Sequence, residues 1–150
     1  MSKSGLDDQE WDSEQYKHQE LTRAIIASFY DVYNELGHGF LESIYERAIT
    51  IALRAHGIAL QQQLPLPVWF RGERIGDFRA DLVIANAVIV EIKACRLLES
   101  CHEAQLLNYL RSSDIEVGLL LNFGPKPQIK RLVFANEKKK NLCPSALTCV

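Results

Sequence analysis

Three charged residues, Asp81, Glu91 and Lys93, lie within a stretch rich in Val and Ile, residues 81–93. Ten of its thirteen residues are Val, Ile, Leu, Ala or Asn, a composition typical of a strand pair buried on both faces. A charge in that setting is costly unless it is paired or holds a metal ion. Two carboxylates and an ammonium group at this spacing therefore indicate either a metal site with an adjacent cation or a structural ion pair.

The turn between the two predicted strands, residues 75–84 and 88–95, decides whether the carboxylates meet. A three-residue turn over 85–87 makes Asp81 and Glu91 direct neighbours, about 5 Å apart at Cβ, whereas a two-residue turn places Asp81 opposite an apolar residue. Neighbouring carboxylates repel unless a cation lies between them, and oxygen ligands of this kind suit Mg²⁺ or Mn²⁺. Lys93 could then reach a bound water or a phosphoryl oxygen. The alternative is a simple salt bridge from Lys93 to either acid.

The opposite face of each strand is fully apolar and is predicted to face the core. On that face lie Phe78, Ala80, Leu82 and Ile84 of one strand, and Val88, Val90, Ile92 and Ala94 of the other.

Three amphipathic helices are predicted around these strands. The first runs from about residue 14 to Gly37, with an apolar stripe at Leu21, Ile25, Phe29, Val32 and Leu36. The second covers 41–56, with a predicted buried stripe at Ile44, Ala48, Ile51 and Ala55. The third begins at an S-x-x-E capping box, Ser100 to Glu103, and carries His102, Gln105 and Tyr109 on one face.

Two of these helices carry polar residues that could join the site. Glu42 lies in the first turn of the second helix, on the same side as Tyr45, although an acid there also simply matches the helix dipole. Gln105 and Tyr109 could equally form an ordinary polar helix face.

The 150 residues predict one domain, residues 15–135, with a disordered lead (1–14) and a flexible tail (136–150). An edge strand is expected at 60–70, where Pro65 and Pro67 remove backbone donors, and two more strands at 117–123 and 129–135. The order α-α-β-β-β-α-β-β predicts an α/β or α+β fold with a mixed sheet and an antiparallel meander.

Composition narrows the class of protein further. The four cysteines form no C-x-x-C pair, which favours reduced thiols over a zinc site. Neither a secretory signal nor a membrane-spanning run is evident, so a cytoplasmic protein without a membrane partner is expected. The net charge of −2 neither requires nor excludes a nucleic-acid partner.

Several motifs together resemble the bacterial and archaeal GxxExxY family, a branch of the PD-(D/E)XK nuclease superfamily. The similar segments are G-F-L-E-S-I-Y (39–45), F-R-A-D-L (78–82), V-I-V-E-I-K-A (88–94), Q-x-x-x-Y-L (105–110) and V-G-L-L-L-N-F-G (117–124). One departure is Ala80, which stands where the superfamily often has proline.

The resemblance implies a PD-(D/E)XK nuclease-like fold and a Mg²⁺- or Mn²⁺-dependent nuclease. Asp81, Glu91 and the backbone carbonyl of Ile92 would be metal ligands, and Lys93 would activate water and stabilise negative charge. The resemblance also implies that Glu42, Gln105 and Tyr109 belong to the site.

Two hypotheses follow. The first is phosphodiester hydrolysis of nucleic acid, with DNA favoured; the second is a non-catalytic module that binds nucleic acid or protein and keeps the nuclease fold. The weak net positive charge of residues 21–150, +2, and the lack of an appended DNA-binding domain favour the second. The complete set of charged motif positions favours the first. A homodimer could supply additional surface for nucleic acid.

Overall fold

The computed structural model describes residues 18–140, and the predicted lead and the last ten residues of the predicted tail lie outside this range. Its helices are α1 (Gln19–Leu36), α2 (Glu42–Ala55), α3 (Ser100–Arg111) and a 3-10 helix at Asn136–Lys138. Its strands are β1 (Leu60–Phe70), β2 (Glu73–Ile84), β3 (Val88–Lys93), β4 (Val117–Phe123) and β5 (Pro127–Val133). The predicted order of the elements is confirmed.

The five strands form one mixed sheet in the order β1-β2-β3-β4-β5. The β3–β4 pair is parallel, because α3 carries the chain back between these strands, and the other three pairs are antiparallel. The proline-containing β1 lies at an edge, as predicted. The α+β class with a mixed sheet and an antiparallel meander is therefore confirmed. No helix in residues 18–140 is long and apolar enough to cross a membrane.

Two apolar clusters hold helices to the two faces of this sheet. Helices α1 and α2 pack on one face through a fully buried aromatic group: Phe29 and Tyr45 contact Phe123 with ring centroids 4.6 and 4.1 Å away. Truncating such a buried aromatic residue to alanine typically costs about 3–5 kcal/mol. Helix α3 packs on the other face through Leu106 and Leu110. The sheet thus lies between two helical layers.

The predicted buried stripe of α2 is wrong. The residues of α2 that face the sheet are Tyr45, Ile49 and Leu53, all fully buried, whereas Ile44 and Ile51 are 44% and 71% exposed. Both stripes have helical spacing and apolar side chains, so periodicity alone does not distinguish between them. The one with larger side chains, which includes Tyr45, is the one that packs on the sheet.

The predicted core face of β2 is also partly wrong. Leu82 and Ile84 pack beneath α1 and α2, but Ala80 and Phe78 belong to the cluster beneath α3. The alternation of side chains is interrupted at Asp81, where the β1–β2 register passes from Gln62↔Leu82 to Leu64↔Ala80. The neighbouring residue of β1, Gln63, has a left-handed backbone with φ of 52°. Both strands therefore change faces next to the acid.

Two smaller differences concern the ends of elements. Ser100 is the first residue of α3 instead of its N-cap; the N-cap is Glu99, whose amide donates to Nδ1 of His102 at 3.0 Å. The first residues of the predicted flexible tail are held against the end of α3. The Asn136 side chain donates to the carbonyl oxygen of Asp114 at 2.8 Å, and residues 136–138 form the 3-10 helix.

Candidate active site

The β2–β3 hairpin has the register that brings Asp81 and Glu91 together. Ile84 pairs with Val88, and the turn between them has three residues, so of the two alternatives the three-residue turn is the one observed. The backbone ladder between the strands ends at the Leu82↔Val90 pair. Beyond it, the carboxylates replace backbone acceptors: the Asp81 amide donates to Oε1 of Glu91 at 3.0 Å, and the Ile92 amide donates to Oδ2 of Asp81 at 2.9 Å.

Glu91 is a buried acid, with only 3% of its surface exposed. The pKa of this carboxyl group is raised to about 8, mainly by burial and also by the negative charge of Asp81. The hydrogen bond from the Asp81 amide and the positive charge of Lys93 act in the opposite direction. They do not offset the cost of burying a carboxylate beside Asp81, so the fold favours the protonated form of Glu91 up to about pH 8.

Lys93 is held by a chain of polar side chains from α3. Its ammonium group donates to Oε1 of Gln105 at 3.1 Å, and the amide nitrogen of Gln105 donates to the Tyr109 hydroxyl at 2.8 Å. Tyr109 is nearly buried, and burial, together with the negative charge of Glu91, raises its pKa to about 12. Within residues 18–140 Lys93 forms no ion pair shorter than 4.0 Å, so the simple salt bridge is not observed.

A third acid, Glu46 of α2, reaches the site through Gln63 of β1. The amide nitrogen of Gln63 donates to both carboxylate oxygens of Glu46, at 3.0 and 3.1 Å, and to Oδ1 of Asp81 at 3.3 Å. Burial raises the pKa of Glu46; the Gln63 hydrogen bond lowers it, and the charge of Asp81 raises it. Gln63 has a left-handed backbone, which costs about 1–2 kcal/mol in a residue other than glycine. Such strain is common at functional sites.

Asp81 and Glu46 line an open cavity of about 550 Å³ whose other wall is the start of α2. Glu42, Phe40 and Leu41 belong to this wall, and all three are exposed. Tyr45 fixes the loop: its hydroxyl donates to the carbonyl oxygen of Gly37 at 2.6 Å and accepts the Phe40 amide at 3.2 Å.

The G-x-x-E-x-x-Y segment has a structural role at the start of α2. Gly39 has φ of 110°, a conformation that favours glycine, and Tyr45 ties the loop to the helix that follows. The segment therefore shapes the rim of the cavity, and its Glu42 projects from that rim.

The oxygen atoms of Asp81 and Glu91 fit a divalent cation. They are adjacent, and Glu91 is buried, so a cation could take the place of the proton that Glu91 otherwise holds. Hard cations such as Mg²⁺ prefer such carboxylate oxygens. No group of three or more His, Cys, Asp or Glu side chains in residues 18–140 forms a complete metal site. A cation here would keep positions for water and substrate, as Mg²⁺ usually does in proteins. The Ile92 carbonyl remains the predicted third ligand.

Most residues proposed from the sequence therefore converge, and two neighbours were missed. Asp81 and Glu91 are joined by a hydrogen bond, Lys93, Gln105 and Tyr109 form a second hydrogen-bonded chain, and the charge of Lys93 acts on Glu91. Glu42 lies on the cavity wall without a hydrogen bond to these residues among the described contacts. Glu46 could have been found, because it follows Glu42 by four residues on the same helix face. Gln63 gave no signal, since its position depends on the interruption in β1.

Comparison with known proteins agrees with this geometry. The sequence profile of the PD-(D/E)XK nuclease superfamily matches residues 19–132. The chain belongs to this superfamily. The match includes both strands of the charged hairpin and helix α3, so the carboxylate pair and the Lys93–Gln105–Tyr109 chain lie within the superfamily region. Nucleases of this superfamily generally use divalent metals, which is consistent with the oxygen pair.

The fold is similar to that of a solved protein, the crystal structure of SSO0001, with a TM-score of 0.51 and 22% sequence identity. The aligned region covers 81% of this chain but only 61% of that chain. At this identity the likeness shows the fold alone. No curated protein matches the chain.

Proposed function

We propose that this protein is a metal-dependent nuclease that hydrolyses phosphodiester bonds of nucleic acid, with DNA as the expected substrate. The observation that carries the proposal is the meeting of Asp81 and Glu91 beside a lysine ammonium group held in place by Gln105. Membership of the PD-(D/E)XK nuclease superfamily supports it. The G-x-x-E-x-x-Y segment and its role at the cavity rim support assignment to the GxxExxY branch.

A bound Mg²⁺ or Mn²⁺ ion would lower the pKa of a water molecule and polarise the scissile phosphate. Asp81, Glu91 and the Ile92 carbonyl would hold that ion. Lys93 would stabilise the negative charge that develops on the phosphoryl oxygens. Gln105 and Tyr109 act as positioning residues, because they restrict the long lysine side chain to one orientation before substrate binds.

Helix α2 offers two acids for the site, and their surroundings differ. Glu42 is the motif residue and remains a proposed site residue, but it is exposed. Glu46 is part-buried and shares the Gln63 amide with Asp81, so it is better placed to act through a bound ion or water. Comparing Glu42→Gln with Glu46→Gln distinguishes them: we expect the larger loss of cleavage for Glu46→Gln.

The decisive experiment is a cleavage assay on single-stranded, double-stranded and branched DNA and on RNA, with Mg²⁺ or Mn²⁺. Lys93→Met should reduce cleavage by about 100-fold or more, the usual effect of removing a group that stabilises transition-state charge. Lys130→Met is the matched control, because Lys130 is 56% exposed and forms an ion pair with Glu103 at 3.3 Å, away from the carboxylate pair. It should cleave as the wild type does.

The competing hypothesis, a binding module without turnover, gives a different result. In that case the wild type cleaves no substrate under either metal, or Lys93→Met cleaves as well as the wild type. Either result would mean that the converging charges do not perform hydrolysis. A homodimer would enlarge the surface available to nucleic acid.

A further inference from the structure

The outward side of helix α2 is apolar. Ile44, Ile51 and Ala55 lie on the exposed side of α2, and Ala48, which is partly buried against the core, borders them; Ile51 is 71% exposed. A helix with apolar residues on two sides normally buries both. In the described part of the chain, only the stripe that contains Tyr45 is covered by the sheet.

The outward stripe of α2 and the neighbouring surface of α1 form one groove, which we call the α1–α2 groove. It has a volume of about 570 Å³ and includes Leu36 of α1 together with Ala48, Ile51, Ala52 and Ala55 of α2. Of the nine large exposed hydrophobic residues in 18–140, Leu36 and Ile51 line this groove, and Tyr30 and Ile44 lie on the same two helices. Such clustering marks an interaction surface, because large apolar side chains scattered singly need no explanation but clusters do.

The charges beside the groove are separated by helix. The α1 wall carries Asp31 and Glu35. The α2 wall carries His56, and Arg47 and Arg54 lie one helical turn from Ile51 on the exposed surface. The two ion pairs found within residues 18–140 are elsewhere, Arg74 with Asp77 and Lys130 with Glu103.

This arrangement is self-complementary. When two identical surfaces meet about a two-fold axis, α1 of one copy can face α2 of the other, and the symmetry then repeats this contact with the copies exchanged. The acidic α1 of one copy would then face the basic α2 of the other, twice, while the apolar stripes meet in the centre. A different protein would need only a surface complementary to this one. Its binding would not require the acidic residues to lie on α1 and the basic residues on α2.

We propose that the α1–α2 groove is a homodimer interface, in which α1 and α2 of two copies form a four-helix layer. The proposal does not depend on the nuclease activity. The cavity with Asp81 and Glu46 is lined by different residues, so a dimer formed through the groove would not occupy that cavity. An interface of ordinary size buries about 800 Å² on each partner, with a hydrophobic centre and a polar rim, which is the composition of this groove.

Sedimentation equilibrium of the full chain tests the proposal. The wild type should sediment at twice the 17.0 kDa chain mass at micromolar concentration. Ile51→Asp should raise the dissociation constant by about 30-fold or more, the effect expected at the centre of an interface. Ile75→Asp is the matched control, because Ile75 is 64% exposed at the far end of the β1–β2 hairpin and should leave the dimer intact. Unchanged circular dichroism of both variants checks folding.

A charge exchange separates a homodimer from other occupants. In one variant Asp31 and Glu35 become lysine, and in the other Arg47 and Arg54 become glutamate. Each variant alone should be monomeric, because like charges then face each other, and an equimolar mixture should form a heterodimer. A monomeric wild type, an Ile51→Asp variant that stays dimeric, or a mixture that stays monomeric would each overturn the proposal. If Ile51→Asp instead destabilises a monomeric wild type, the groove is covered by the chain itself.

Discussion

Replacing Glu91 with glutamine removes a buried negative charge and keeps the shape of the side chain. Its Oε1 atom can still accept the Asp81 amide. The ordinary pKa of 4.5 rises to about 8 in the folded protein, so between these values the folded state holds one proton more than the unfolded chain. The free energy of unfolding therefore falls by about 1.4 kcal/mol for each pH unit gained. Below this range both states hold the proton, and above it neither does.

Across the interval from 4.5 to about 8, the wild type loses up to about 5 kcal/mol of stability through Glu91 alone. Glu91→Gln lacks this titration. We therefore expect the variant to gain stability relative to the wild type as the pH rises, and to exceed it at pH 8 by a few kcal/mol. Urea denaturation at half-unit steps of pH with a chelator present measures both curves.

A matched control is Glu73→Gln, which removes an exposed carboxylate at the start of β2 and should leave the pH dependence of stability unchanged. If the curves for Glu91→Gln and the wild type run parallel from pH 5 to pH 8, the reasoning about the buried charge is wrong. Adding Mg²⁺ at pH 8 extends the test. The ion should stabilise the wild type more than Glu91→Gln, because it binds the folded carboxylate pair and not the unfolded chain.

Three further substitutions test other parts of the structure by urea denaturation. Gly124→Ala should cost about 2 kcal/mol or more, because a Cβ atom there would overlap the backbone carbonyl oxygen of Cys95; an unchanged midpoint would contradict this packing. Tyr45→Phe should cost about 1–3 kcal/mol and speed hydrogen exchange at the Phe40 amide, which loses its acceptor. Ala85→Gly should stabilise by about 0.5–1 kcal/mol, because glycine relieves a φ of 50° although it also gains freedom in the unfolded chain; destabilisation would argue against strain in the turn.

The charged hairpin could be predicted from sequence because it depends on local quantities. The length of the turn at residues 85–87 determines which residues pair, and side-chain alternation then determines which pairs share a face. The Gln105 and Tyr109 pair was predictable for the same reason, since four residues make one helical turn. The element order followed from the helical periodicity of α1 and from the largely apolar runs of β3 and β4.

The failures involve information that is not local. Nothing in the sequence of α2 says which of its two apolar stripes meets the sheet, because that depends on how α1 and the sheet approach it. The faces of Phe78 and Ala80 were misassigned because a strand was assumed to alternate without interruption. Gln63 joins the site only because its left-handed backbone turns it towards Glu46 and Asp81, and glutamine in an edge strand gives no indication of that conformation.

The turn at residues 85–87 contributes no reactive atom to the site, yet it determines whether the two acids meet. Inserting or deleting one residue there would shift the partners of Asp81 and turn one carboxylate to the other side of the sheet. Among homologous chains this loop should accept substitutions but hold its length, whereas surface loops usually tolerate insertions and deletions. A change in the length of this turn should therefore be as rare among active homologues as the loss of an active-site acid.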